Sequence, residues 1–272
     1  SHHFNSHRRM FLISGTTSMS SLLLQRVAPS YATVTDPKTG ISQPEVGEIQ
    51  ESVPNDWSKI ENPFVNEVDK SSFGRLDQKP DSIFYESPRF VEHIDENAVE
   101  IVTKYNTGVI VSTANTKDTV ATVASKSDTS PTVRVLDLCS SWTSHIDPNV
   151  VSVPQSNNDV VDNDKNKNKV MAQISGLGMN SEELKSNPLL LDWTIQDLNS
   201  NPDLSKIYPN DNTFDVVFCQ LSIDYLTRPM EVLREVSRIL KVGGTVHIIF
   251  SNRLFLSKAV ALWTGADDVD HT

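Results

Sequence analysis

Several side chains able to bind ligands or move protons stand where apolar runs of this chain give way to polar residues. Asp137, Ser140, Ser141 and His145 follow one run, Met179 and Asn180 a second, Asp197 and Leu198 a third, and Gln220, Asp224 and Tyr225 a fourth. Carboxylates accept hydrogen bonds, hydroxyls and carboxamides do both, and imidazole titrates near neutrality. His145 is therefore a candidate general base, with Asp224 a second and Tyr225 a polar contact beside it. Each residue also has a plainer reading. A lone Asp such as Asp197 at a strand end forms turns. Asn180, or Ser181 after it, reads as the cap of a helix opening with Glu182-Glu183-Leu184. Asp224 reads equally as a solvated surface carboxylate, and His145 as a helix-start residue bonded to backbone.

The elements that must position these groups alternate strand and helix. Thr132–Leu138, Val170–Ser175, Trp193–Asn199, Thr213–Cys219 and Thr245–Phe250 read as strands, the fourth with the unbroken apolar run of a strand buried on both faces. Val232, Leu233, Val236, Ile239 and Leu240 recur at helical spacing, and Gly243-Gly244 reads as the stop that turns this helix into the last strand. The expected fold is α/β, a Rossmann-like doubly wound, mainly parallel sheet of spatial order 3-2-1-4-5 that ends after its fifth strand. In open sheets of this kind ligands sit outside the carboxyl ends of the strands. All of the residues above then share one edge, with Gln220, Ser222 and Tyr225 forming a wall of the reacting centre.

The flanks carry less signal. Ser82–Tyr105 reads as a helix in front of the sheet, holding Tyr85, Phe90 and Arg89, whose fork suits a carboxylate. Residues 106–130 read as a variable loop, and Leu254–Trp263 as helical. Gln155–Lys169, rich in Asn, Asp and Lys, reads as a disordered insertion within a domain of residues 81–272. Residues 33–80 form a Pro-punctuated polar linker. Residues 1–32 hold Arg8-Arg9, a weak apolar stretch and Ala28-Pro29-Ser30-Tyr31-Ala32, the pattern of a targeting segment. A twin-arginine reading points to a plastid or its thylakoid lumen, or to a bacterial periplasm; an organellar transit peptide, a mitochondrial one included, is the alternative. The chain begins without Met and stops inside a helical pattern, so a fragment of a longer protein is expected.

Bulk properties narrow the partners. A formal charge of −11 over 272 residues opposes duplex nucleic acid. No run is long and apolar enough for stable membrane insertion. Two isolated cysteines, Cys139 and Cys219, make neither a disulfide framework nor a zinc motif, and no metal is expected.

The string FDVVFC, followed by VLREVSRILKVGG, resembles the second half of class I S-adenosylmethionine-dependent methyltransferases. Five further strings in order, PRFVEHID, LDLCSSWTSH, GMNSEEL with NPLL, QDLN and FSNRLFLSKAVALW, resemble a subgroup of methyltransferase type 11-like proteins over about Ser82–Trp263. The resemblance implies S-adenosylmethionine as cofactor, held by Asp137, Ser140, Ser141, Met179, Asn180, Asp197, Leu198 and Gln220. Within it, Asp197 falls near the adenine amino group and the Leu198 backbone near the ring. Two departures stand out. The family's Gly-x-Gly loop after the first strand is replaced by Cys139-Ser140-Ser141-Trp142, and no acid closes the second strand to hold the ribose. Methyl transfer to a small-molecule acceptor is the first expectation. A methyltransferase-like binding or scaffold protein without catalysis is the alternative. A nicotinamide dehydrogenase is disfavoured, because no G-x-G-x-x-G follows the first strand.

Overall fold

The computed structural model describes residues 10–14, 72–121, 132–152, 171–251 and 253–264; the insertion expected at 155–169, most of the targeting segment and most of the linker lie outside these. The chain divides into two compact units, one of residues 1–14, 79–223 and 228–253, the other of residues 15–78, 224–227 and 254–272.

The first unit is built on a six-stranded sheet, β1 (Met10–Ser14), β2 (Thr132–Ser140), β3 (Met171–Gly178), β4 (Leu190–Ile195), β5 (Phe214–Gln220) and β6 (Leu240–Ser251), in the order β1-β6-β5-β2-β3-β4. β2 to β6 are mutually parallel and reproduce the order expected from the sequence. Their centre follows from composition. Val133, Val135 and Leu136 of β2 and Phe214, Val216, Val217 and Phe218 of β5 are fully buried. Each such side chain contributes roughly 1.5–3 kcal/mol by leaving water. β1 was not expected. Five residues of the segment read as a targeting sequence pair antiparallel with β6, from Met10 opposite Ser251 to Ser14 opposite His247. The run Met10-Phe11-Leu12-Ile13 suits an edge strand as well as it suits a signal core.

Four boundaries differ from the sequence reading, each for a local reason. The helix in front of the sheet is two pieces, α1 (Asp81–Phe84) and α2 (Glu96–Ala121), and residues 85–95 between them are irregular. Pro88 disfavours helix in the residue before it, and Asp95 restarts the helix by accepting from Ala98 N at 3.0 Å. α2 continues through what reads as a loop. Its buried stripe is Ala98, Val102, Asn106, Ile110 and Ala114, four residues apart, and the polar Asn106 conceals the period. β4 lies earlier than expected, because Gln196 leaves the strand and its amide donates to Asn201 O and Asp203 O. α4 (Pro229–Ile239) ends before the glycine pair. Lys241–Gly244 instead forms an irregularity within β6, where Phe214 pairs with Leu240 but Val216 with Thr245 and Gly243 takes φ +80°. The remaining helix, α3 (Ser181–Ser186), links β3 to β4.

At the amino end of β5, Asp215 accepts from Lys117 Nζ at 2.9 Å, from Lys241 Nζ at 2.9 and 3.0 Å and from Arg134 N at 2.8 Å. This clamp ties α2, β2, β5 and β6 together.

In the second unit the expected helix at Leu254–Trp263 is reduced to turns and α5 (Ala261–Thr264). Lys258, only 1% exposed, pairs with Asp77 at 3.3 Å. Asp224 is buried with Oδ2 unpartnered, and burial pushes its carboxyl up to about 7. Tyr225 Oη accepts from Phe255 N at 2.9 Å.

Candidate functional site

The loop after β2 is held from every side. Cys139 (φ 58°) and His145 (φ 46°) both adopt left-handed backbone without being glycine, a conformation that persists only where neighbours enforce it. Asp137 does so from below. It is 2% exposed and accepts from Ser140 Oγ and Ser144 Oγ at 2.7 Å each and from Gln220 Nε2 at 3.3 Å. Burial raises its pKa, and the bonds from Ser144, Ser140 and Gln220 oppose that rise. Asn187 Nδ2 donates to Ser144 Oγ at 2.9 Å and to Ser141 O at 3.0 Å. From α2, Asn106 Nδ2 donates to Gln220 Oε1 at 2.9 Å and His145 O at 3.0 Å. A glycine loop would flex; this serine loop is fixed by side chains.

The end of β3 is equally committed. A Cβ built on Gly178 would collide with the Ser140 carbonyl oxygen, so no acidic side chain could stand there without displacing the loop. Asn180 Oδ1 caps α3 by accepting from Glu182 N at 2.9 Å and Glu183 N at 3.1 Å, which is the cap reading. Its Nδ2 donates to Tyr85 O and Glu86 O at 2.9 and 3.1 Å. Glu183, 8% exposed, accepts from Ser141 Oγ and from Arg89 N, both at 2.7 Å. Arg89 meets a carboxylate through its backbone, while its guanidinium lies 4.2 Å from the Phe84 ring centroid. Met179 is half-buried beside these groups.

Residues 85–95 thus form a strap across the loop after β2. Trp142 Nε1 donates to Val91 O at 3.4 Å, and His145 Nε2 lies 2.9 Å from Glu92 Oε2. His93, half-buried on the same strap, has its pKa lowered by burial and by Arg253.

Beyond β4, Asp197 Oδ1 accepts from Asn199 N at 2.9 Å and Ser200 N at 3.3 Å, and Oδ2 from Ser200 Oγ at 2.6 Å. This is the turn-forming geometry, with Leu198 buried beneath it. Phe90 is exposed.

The sheet unit therefore brings together Asp137, Ser140, Ser141, His145 and Gln220 in one network, Asn180 beside it, and Asp197 and Leu198 at the neighbouring strand end. Asp224 and Tyr225 belong to the second unit. Sequence reasoning passed over Glu92, Asn106, Ser144, Glu183 and Asn187. Four of these lie inside strings quoted above and could have been found there; Asn106, hidden in a helix face, carried no signal. Among the described residues no cluster of His, Cys, Asp and Glu could hold a metal ion, and no helix is long and apolar enough to cross a membrane.

Five parallel strands in the order 3-2-1-4-5, with a loop network at their carboxyl ends, form a Rossmann-like α/β sheet of the class I methyltransferase type. Residues 176–248, from the end of β3 into β6, match the family model described as a methyltransferase domain. That match covers 73 of the 272 residues, and over this stretch the chain is similar to a methyltransferase domain.

No curated protein matches the chain. A chain from the complex between the Haloferax volcanii Trm112 methyltransferase activator and a candidate methyltransferase shares 18% identity, with TM-score 0.27, over 43% of this chain and 44% of its own. The [4+2]-cyclase SpnF shares 19% identity, with TM-score 0.28, over 50% of this chain and 43% of its own. The chain thus spans less than half the length of either, and overall similarities of that size say nothing of activity.

Proposed function

We propose that the sheet unit binds S-adenosylmethionine at the carboxyl ends of β2 to β5 and transfers its methyl group to a small-molecule acceptor. The observation that carries this reading is the methyltransferase-domain match over residues 176–248, from the end of β3 into β6. The donor set supports the adenine end. Among the described residues Asp197 Oδ2 accepts the Ser200 hydroxyl alone, and a carboxylate oxygen can take a second donor, such as an adenine amino group. Leu198 follows at the same turn as apolar contact. The ribose end departs from the family pattern, since the Ser140 carbonyl occupies the space of a side chain at Gly178; backbone and hydroxyl groups of the serine loop are the partners there.

When bound, the cofactor supplies a sulfonium methyl group as electrophile. The chain's own part is to position. Asp137, Asn187, Gln220 and Asn106 hold the serine loop in one conformation before any ligand arrives, so little ordering remains to be done on binding. The strap at 85–95 is fastened to that loop through Trp142 and His145.

One observation favours the alternative of a binding protein without turnover. Asn180 has its side-chain carboxamide fully engaged by α3 and the strap, and Asp137 accepts three donors from its own loop and β5. Calorimetric titration with S-adenosylmethionine tests the cofactor. Asp197→Ala should weaken binding by about 1–3 kcal/mol. Equal affinity in parent and variant, with the fold intact by circular dichroism, refutes the adenine assignment. Cofactor binding without methyl transfer to any of a metabolite panel favours the binding protein.

A further inference from the structure

The pair formed by His145 and Glu92 is left unused by the reading above. His145 has its side chain 8% exposed, held by left-handed backbone and by Asn106 at its carbonyl. Its Nε2 meets Glu92 Oε2 at 2.9 Å across the gap between loop and strap. A carboxylate only accepts, so in the neutral imidazole the proton sits on Nε2 and the lone pair on Nδ1. Nδ1 has no hydrogen-bond partner among the described residues, yet it is not among the buried unsatisfied atoms, so it reaches solvent at the carboxyl edge of the sheet. An imidazole with one nitrogen fixed by a carboxylate and the other open is the arrangement of an oriented base. Two carboxylates face it. Glu92 comes from the strap, and Asp137, from β2, interacts with it electrostatically.

We propose that His145, oriented by Glu92, is the base that removes the proton from a protic acceptor, a hydroxyl or an amine, in the methyl transfer proposed above, on which this inference rests. The Nδ1 lone pair forms a new N–H bond as the acceptor's O–H or N–H bond breaks. The electron pair of that bond stays on oxygen or nitrogen as the nucleophile. The imidazolium, balanced by Glu92, returns its proton to water after product leaves. Glu92 is a positioning residue, since it acts through His145.

The plainer possibility is that the pair only fastens the strap, and the two differ in their readouts. In full-length chain labelled with ¹⁵N at histidine and free of cofactor, neutral His145 is expected to carry its proton on Nε2. Glu92→Gln keeps a hydrogen-bond acceptor but removes the charge, and should lower the His145 titration midpoint by about half a unit or more. In turnover with methyl-labelled S-adenosylmethionine and a panel of phenols, carboxylic acids and primary amines, the same variant should lower kcat about tenfold with KM little changed. The acidic limb of its pH–rate profile should move down with the midpoint. An Nδ1–H tautomer, an unmoved midpoint, or a loss of turnover at unchanged pH profile and lowered stability overturns the proposal. Cofactor binding by calorimetry without methylation of any protic acceptor overturns it too. Absence of cofactor binding instead removes the function on which it rests.

Discussion

Two buried aspartates stand near opposite ends of the central strands, and they are held by opposite means. Asp215, at the amino end of β5, faces the ammonium groups of Lys117 and Lys241 and the Arg134 N–H. Burial alone would raise its pKa, but those donors hold it below the usual carboxylate range. Asp137, at the carboxyl end of β2, accepts hydrogen bonds from two hydroxyls and a carboxamide, and burial raises its pKa. The difference separates a clamp from a site. Charged partners lock three elements where nothing has to bind. Neutral donors fix the loop at the proposed site.

The largest expected effect breaks the clamp. Asp215→Asn leaves two lysines facing an amide and should cost about 3–5 kcal/mol at pH 7 in urea unfolding. A lowered folded pKa means that this contribution is present above the unfolded value of 3.8 and lost as pH falls. The gap between parent and variant should therefore close in strong acid. A gap that stays constant down to about pH 2 would refute the ionic account.

At the other end, Gly178→Ala drives a methyl group into the Ser140 carbonyl and should cost about 1–3 kcal/mol, because backbone rather than a flexible side chain must yield. A crystal structure of that variant should show the serine loop displaced. An unmoved loop at parental stability would mean that β3 and the loop are not packed as described.

Asp137→Asn should cost less, about 1–2 kcal/mol at pH 7, since the hydroxyls of Ser140 and Ser144 can rotate to new acceptors. Its pH dependence has the opposite sense to that of Asp215. With the folded pKa raised, the parent is most stable below 3.8 and loses stability as pH rises through the folded value. The advantage of parent over variant should accordingly shrink with rising pH. If it grows, Asp137 is paired with a charge.

The contrast also shows what the sequence could and could not reveal. The parallel order of β2 to β6 was legible because long apolar runs and one strongly amphipathic helix leave few alternatives. The position of the site edge followed, since topology alone decides which strand ends gather. The partners at that edge did not follow. Asp137 and Asn187 are 50 positions apart in sequence, and Asn187 reaches Ser144 only once β3 lies beside β2. Asp197 and Asn180 read equally as ligand contacts and as turn or cap residues, and their local bonds decide for turn and cap while leaving one Asp197 oxygen room for another donor. β1 escaped because an edge strand of five residues and an apolar leader share one composition.

Amide chemical-shift mapping of ¹⁵N-labelled full-length protein with S-adenosylmethionine tests the proposed cofactor site most directly. Saturable shifts should gather at Asp137–His145, Gly178–Asn180, Asp197–Leu198 and Gln220, with little change around Asp215. Shifts confined to other surfaces, or none at millimolar cofactor, would contradict it.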